Sequence, residues 1–234
     1  MIVAANFKTN KTRAQTRDYM DELNAFIRAE KVASEVMVFP PLTALDHFGQ
    51  GATIGAQNAF AVENGAYTGE IGTDQLKEFS VKTILIGHSE RRHILGESQE
   101  EIAKKFNYFQ AHGYQIVYCI GEKLEIREAG EAELMSYIEN QLVGIDLEYD
   151  KLIIAYEPVW AIGTGLVPSN ADIKKIHADL REKTSKPILY GGSVKVSNME
   201  EIVNIKNVDG VLVGGASLYA HSFCEMIKIA EEVK

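Results

Sequence analysis

The sequence predicts an α/β protein: a single (β/α)8 barrel, with eight parallel strands closed into one sheet. Three observations carry that prediction. Short apolar runs of β-favouring residues recur eight times along the chain, as suits strands buried on both faces. Amphipathic helical stretches lie between them, the alternation that makes right-handed parallel βαβ units. The first strand-to-helix turn reads Asn6-Phe7-Lys8-Thr9-Asn10, without the glycine fingerprint that an open doubly wound sheet places there. At 234 residues the barrel is compact beside a norm of about 250, and residues 1–234 form one domain.

The elements follow in order. The chain opens on a strand pattern at Ile2–Ala5, and an amphipathic helix is predicted over Ala14–Ala29. Strands at Glu35–Phe39, Thr53–Ala56 and Thr83–Ile86 come next. Ser98 precedes an acidic run and starts a helix over Ser98–Ala111. A strand at Gln115–Cys119, a helix over Glu131–Val143 and a strand at Leu152–Tyr156 continue the alternation. Asn170, ahead of Ala171-Asp172, marks the start of a helix over Asn170–Thr184. Strands at Pro187–Tyr190 and Gly210–Val213 and a helix over Ser217–Val233 complete the series.

Composition bounds the function. Apolar residues at 46% supply a sizeable core, and 24 basic against 33 acidic side chains leave a net charge of −9. That balance argues against nucleic acid or an anionic membrane as the main partner, although backbone amides and one lysine still suffice for a local anion site. Cys119 and Cys224 form neither a CxxC pair nor a zinc spacing, which points to a reducing compartment. Nothing at the N-terminus resembles a signal peptide, and no apolar run approaches membrane-spanning length. The expectation is a soluble, cytoplasmic globular protein.

In a parallel barrel the chemistry sits where the strands exit. The sixth exit is the most informative. Glu157 follows Leu152–Tyr156, Pro158 then stops the ladder, and apolar Val159, Trp160, Ala161 and Ile162 run on to Gly163-Thr164-Gly165. A carboxylate under an apolar flap is what a general base shielded from water requires. The first exit offers Asn6 and Lys8, two residues apart and on one side if strand geometry persists. Lys8 is either an anion or oxyanion partner or a solvated surface lysine. The fourth exit reads Gly87-His88-Ser89-Glu90-Arg91-Arg92. With Ser89 capping a helical turn, His88 would feel the positive end of a dipole and stay neutral; the alternative is a hydrogen-bonded core histidine. His88, Glu90 and His93 match no common zinc spacing. The seventh and eighth exits, Tyr190-Gly191-Gly192-Ser193 and Val213-Gly214-Gly215-Ala216-Ser217, pair glycines on neighbouring strands, where barrels commonly present amides to phosphate.

Together these segments resemble triosephosphate isomerase. Beside the exits named above, Gly55-Ala56-Gln57-Asn58, Gly65-Ala66-Tyr67-Thr68-Gly69-Glu70 and Cys119-Ile120-Gly121-Glu122 match, in family order and over almost the whole chain. That family is also a standard illustration of tuned acid–base chemistry. The resemblance implies the TIM barrel fold and interconversion of dihydroxyacetone phosphate and D-glyceraldehyde 3-phosphate through an enediol. It implies Glu157 as the base, neutral His88 as electrophile and proton shuttle, Lys8 as oxyanion partner placed with the help of Asn6, and Glu90 as an orienting neighbouring charge. Substrate would be held by Asn6, Lys8 and the backbone at Gly163, Ser193, Gly214 and Gly215, beneath a closing Trp160–Gly165 lid. Neither metal nor organic cofactor is implied. The loop Ala59–Gly72, long and carrying Phe60, Val62 and Tyr67, would insert into a second copy to make a homodimer. Thr9 stands where the family usually has a bulkier apolar residue, and Leu166-Val167-Pro168 replaces a lysine-led hinge. Several helices also look short. A catalytically silent sugar-phosphate binder would have no need of Lys8, His88 and Glu157 together, and another phosphate-handling barrel no need of both the Glu157 flap and the His88 segment.

Overall fold

The computed structural model describes residues 1–162, 166 and 168–233. Its strands are β1 (Ile2–Asn6), β2 (Glu35–Phe39), β3 (Thr53–Ala56), β4 (Thr83–Ile86), β5 (Gln115–Ile120), β6 (Leu152–Tyr156), β7 (Ile188–Tyr190) and β8 (Gly210–Val213). They form a closed barrel in sequence order. All neighbours are parallel, and β1 shuts the ring by pairing Ile2 with Gly210 and Ala5 with Val213. The period of two along each strand divides the core. Ile2 and Ala4 join Met37, Phe39 and Leu212 in the barrel interior. Val3, Ala5, Val36 and Val38 pack with the larger cluster under the helices. Gly55 belongs to the interior layer because Phe39 fills its space: a Cβ there would lie 2.2 Å from the ring.

The helices are α1 (Arg13–Glu30), α2 (Thr73–Glu78), α3 (Ser89–His93), α4 (Gln99–Ala111), α5 (Leu124–Glu128), α6 (Glu131–Leu142), α7 (Asn170–Arg181), α8 (Val196–Val203) and α9 (Ala220–Glu232). Ser98 caps α4 as expected: its hydroxyl accepts from the Glu101 amide at 3.3 Å, and the Glu101 carboxylate returns to the Ser98 amide at 2.8 Å. At α7 the cap is Ser169, which accepts from Asp172 N, so Asn170 is the first helical residue. The predicted Ser217–Val233 helix begins later, at Ala220. Gly215–Leu218 is a 3-10 turn, and Tyr219 is extended at φ −108° and ψ 119°. The β2–β3 connection has a 3-10 turn, Leu42–Ala44, in place of a helix; Pro40-Pro41 just before it removes two backbone donors. Helices α2, α3, α5 and α8, of six, five, five and eight residues, are too short for a 3.6-residue period to show.

No described helix is long and apolar enough to cross a membrane.

Candidate active site

The exits of β1, β4, β6, β7 and β8 meet around one cavity of about 480 Å³. Asn6, Lys8, His88, Glu157, Ser193, Gly214 and Gly215 all line it, so most of the predicted residues converge. Gly163 lies outside the described residues.

Lys8 does not continue the strand. Its φ is +52°, a left-handed conformation that costs a non-glycine residue free energy and persists only when its surroundings impose it. The Asn6 side chain accepts from the Lys8 amide at 2.9 Å. The Lys8 ammonium stands 2.8 Å from Glu90 Oε1, and a Cβ on Gly214 would lie 3.3 Å from Lys8 Cε. The lysine is therefore stretched between the fourth and eighth exits rather than solvated.

His88 enters through Gly87, at φ +76°, and is itself the N-cap of α3, in place of the expected Ser89. Its Nδ1 accepts from the Glu90 amide at 3.3 Å. Its Nε2 stands 3.0 Å from Glu157 Oε1. With the Glu90 amide on Nδ1, whose other neighbour is Glu90 Oε2 at 3.5 Å, the pattern favours the proton on Nε2, from which the ring donates to the Glu157 carboxylate.

Glu157 is only 2% exposed. Its amide donates to Ile120 O at 2.7 Å, which pins the backbone to β5, and its Oε2 accepts from the Ser89 amide at 3.0 Å. Burial pushes the carboxyl up, but the His88 ring and the Ser89 amide outweigh that and hold it below the ordinary value. Burial also pushes the His88 ring down, yet Glu157 and then Glu90 raise it above the ordinary value. The two shifts belong to one coupled pair. Both shifts favour the charged forms of the pair, while the Glu90 amide on Nδ1 favours the Nε2–H tautomer whenever the ring is neutral.

Two glycines make room for this carboxylate. A Cβ on Gly121 would sit 1.7 Å from Glu157 O, and one on Gly191 would sit 2.9 Å from Glu157 Cγ. Gly191 donates its amide to Tyr156 O at 2.7 Å, so it is clearance for the Glu157 side chain and not an exposed anion donor as the paired-glycine reading had it. Gly215 differs: a Cβ there meets nothing within 4 Å. It opens the 3-10 turn Gly215–Leu218, at a helical start whose amides lack intrahelical acceptors.

Sequence reasoning gave no role to Glu122 or Lys195. Glu122 is fully buried. It accepts from Tyr156 OH at 3.0 Å and from Trp160 Nε1 at 2.9 Å, and Arg127 stands 3.9 Å away. Burial pushes its carboxyl up, against the pull of those donors. It tethers the 3-10 turn Val159–Ala161 that follows Glu157. Lys195 lines the same cavity as the glycine rim; its place two residues after Ser193 was the available signal.

The family model for triosephosphate isomerase matches residues 1–230. A triosephosphate isomerase of Sulfurovum sp. (strain NBC37-1) is 57% identical over 227 residues, covering 97% of this chain and 99% of the relative. That of Sulfurimonas denitrificans is 53% identical over 233 residues, 100% of this chain and 97% of the relative. That of Wolinella succinogenes is 53% identical over 230 residues, 97% and 99%. A barrel of this topology, matched end to end at these identities, belongs to the triosephosphate isomerase family.

Proposed function

We propose that this chain interconverts dihydroxyacetone phosphate and D-glyceraldehyde 3-phosphate in the cytoplasm, with residues 1–234 as one catalytic domain. The ionised Glu157 takes the proton from the carbon next to the carbonyl. Negative charge then develops on the carbonyl oxygen, where the Lys8 ammonium and the His88 Nε2–H stabilise it. His88 gives that proton to the oxygen, takes one from the neighbouring hydroxyl, and Glu157 returns its proton to the adjacent carbon. Asn6 and Glu90 hold Lys8 and His88 in position. The phosphate lies against the backbone of Ser193, Gly214, Gly215 and Gly163. The segment from Trp160 to Gly165 closes over the enediol and keeps water from it.

The observation that carries this reading is the contact of Glu157 with His88 at 3.0 Å, in the cavity that Lys8, Gly214 and Gly215 also line. Glu157 is engaged by both His88 and Ser89, so in the proposed reaction substrate displaces the contact between base and electrophile.

The active form is a homodimer through the loop Ala59–Gly72. That loop is held by its own bonds, Phe60 N to Ile71 O at 2.8 Å and Thr73 N to Val62 O at 2.9 Å. Tyr67 nevertheless stays 47% exposed, and Ile94 and Leu95 are 76% and 65% exposed. Tyr67 and Leu95 line one cavity with Phe60 and Val62, edged by charged residues such as Arg91 and Lys104, and exposed apolar side chains gathered on one side with a polar rim mark an interaction surface. A coupled assay on the purified protein tests the activity in both directions; kcat/KM should fall within about 10⁴–10⁸ M⁻¹s⁻¹. A folded protein with no turnover would overturn the reading.

A further inference from the structure

Lys8 holds a left-handed backbone, φ +52°, at the centre of the site. Something must hold it there. Asn6 secures the amide side, its Oδ1 accepting from Lys8 N at 2.9 Å. The carbonyl side is secured from β3: Gln57, the first residue beyond that strand, donates Nε2 to Lys8 O at 2.8 Å and to Phe39 O at 2.9 Å. The two bonds are not equivalent. Phe39 O also receives the Phe7 amide at 3.1 Å, so it keeps a partner without Gln57. For Lys8 O, Gln57 is the donor found among the described residues.

We infer that Gln57 is a positioning residue for Lys8: its carboxamide fixes the lysine's strained peptide to the rim of β2 and so aims the ammonium into the reaction cavity. The amide is suited to this because one NH₂ group donates to two carbonyls at once. A carboxylate of the same shape cannot donate to either. The inference rests on the proposed role of Lys8 as oxyanion partner.

The test is a double-mutant cycle of Gln57→Met, which keeps the volume and removes the donor, with Lys8→Ala, which keeps a non-glycine residue at the strained position but removes the ammonium. Alone, Gln57→Met should lower kcat/KM roughly 10- to 100-fold, as expected for a lost hydrogen bond and a shift of the catalytic group. In the Lys8→Ala background the same change should cost less than about threefold, because Gln57 then has no ammonium to aim. Thermal stability should fall equally in both backgrounds, so a purely structural bracing of β2 and β3 would not produce the kinetic coupling. Gln57→Glu serves as the second variant should Gln57→Met fail to fold, with the same cycle expected. Independent, multiplicative losses in kcat/KM, or no loss on Gln57→Met, would overturn the inference. A Lys8→Ala enzyme with near-parent activity would instead overturn the assignment of Lys8 itself.

Discussion

Glu157→Gln replaces two acceptors by one acceptor and one donor in a site built for acceptors. In the parent, Oε1 faces the His88 Nε2 proton and Oε2 faces the Ser89 amide, each at 3.0 Å. If the glutamine oxygen keeps Ser89, its NH₂ confronts the His88 proton. Relief then requires that proton to move to Nδ1, where it would confront the Glu90 amide now bonded at 3.3 Å. If the oxygen keeps His88, the NH₂ confronts Ser89. Either way one buried donor loses its acceptor, about 1–3 kcal/mol, offset in part because a neutral amide escapes the burial penalty on the carboxylate. The fold should therefore survive with a fall in Tm of about 12 °C at most, at about 2–4 °C per kcal/mol for a chain of this length, and less by the amount of that offset. Catalysis should not survive so well. Positioned acid–base transfer contributes about 10²–10⁴-fold, so kcat should fall by at least 10²-fold while KM changes little, the phosphate rim being untouched. A coupled isomerisation assay reads both constants, and the ¹⁵N shifts of His88 report the forced tautomer change. Turnover within about tenfold of the parent would remove Glu157 from the role of base.

The remaining predictions concern the rim, the dimer face and a buried ring. Gly215→Val should fold, since a Cβ there meets nothing within 4 Å, yet raise KM about tenfold or more by keeping the phosphate from the backbone amides; an unchanged KM would misplace the phosphate. Thr68→Arg, at an exposed position on the loop Ala59–Gly72, should yield monomers with sharply reduced kcat, and sedimentation that finds a fully active parent monomer would defeat the proposed assembly. His177 is buried, donates Nδ1–H to Asn207 O at 3.0 Å, and is pushed down by burial to about 4 from 6.5. The unfolded chain binds a proton there below pH 6.5 and the native chain only below about 4, so this stability is complete above pH 6.5 and is lost between those values. Over that window the loss is about 3 kcal/mol. Urea unfolding at fixed protein concentration should show it, and His177→Asn, whose amide can take the Nδ1 bond, should flatten that part of the pH dependence; an unchanged slope would refute it.

The strands were legible because both of their faces are buried, which leaves runs such as Leu152–Tyr156 and Thr83–Ile86 apolar throughout, and their observed bounds match. Long amphipathic helices were legible for the complementary reason. Short helices were not, nor was the extended Tyr219 that delays α9, because a break of one residue leaves the surrounding periodicity intact. At the site, Glu157, His88 and Lys8 announced themselves as ionisable residues at strand exits. Glu122 did not: its partners Tyr156 and Trp160 are 34 and 38 residues away, and nothing in Ile120-Gly121-Glu122 distinguishes a buried anchor from a loop carboxylate. Gly191 shows the same limit. A Gly-Gly pair has one appearance in sequence, whether it offers amides to an anion or clears space for the base.

What the barrel adds is a partner for each charged group that it gathers at the site. Lys8 is paired with Glu90 at 2.8 Å, and Glu157 with the His88 proton at 3.0 Å, so each group that would act on substrate already has a partner. An uncompensated charge in such a cavity would be costly; these pairs offset that cost. In the proposed reaction an entering ligand must compete for Lys8 with a carboxylate that is 39% exposed and readily rehydrated, and for Glu157 with a neutral imidazole. A dianionic phosphate beside Gly214, close to the lysine stem, supplies the attraction that shifts the first pair, and a carbonyl oxygen replaces the carboxylate as acceptor for the second. A neutral triose brings only the carbonyl. It should therefore turn over poorly mainly for want of the ion-pair exchange, and added inorganic phosphite, a separate anion for the same rim, should restore part of the rate in the parent but not in Gly215→Val. Equal activation of both enzymes would refute the exchange and leave the glycine rim without a part in it.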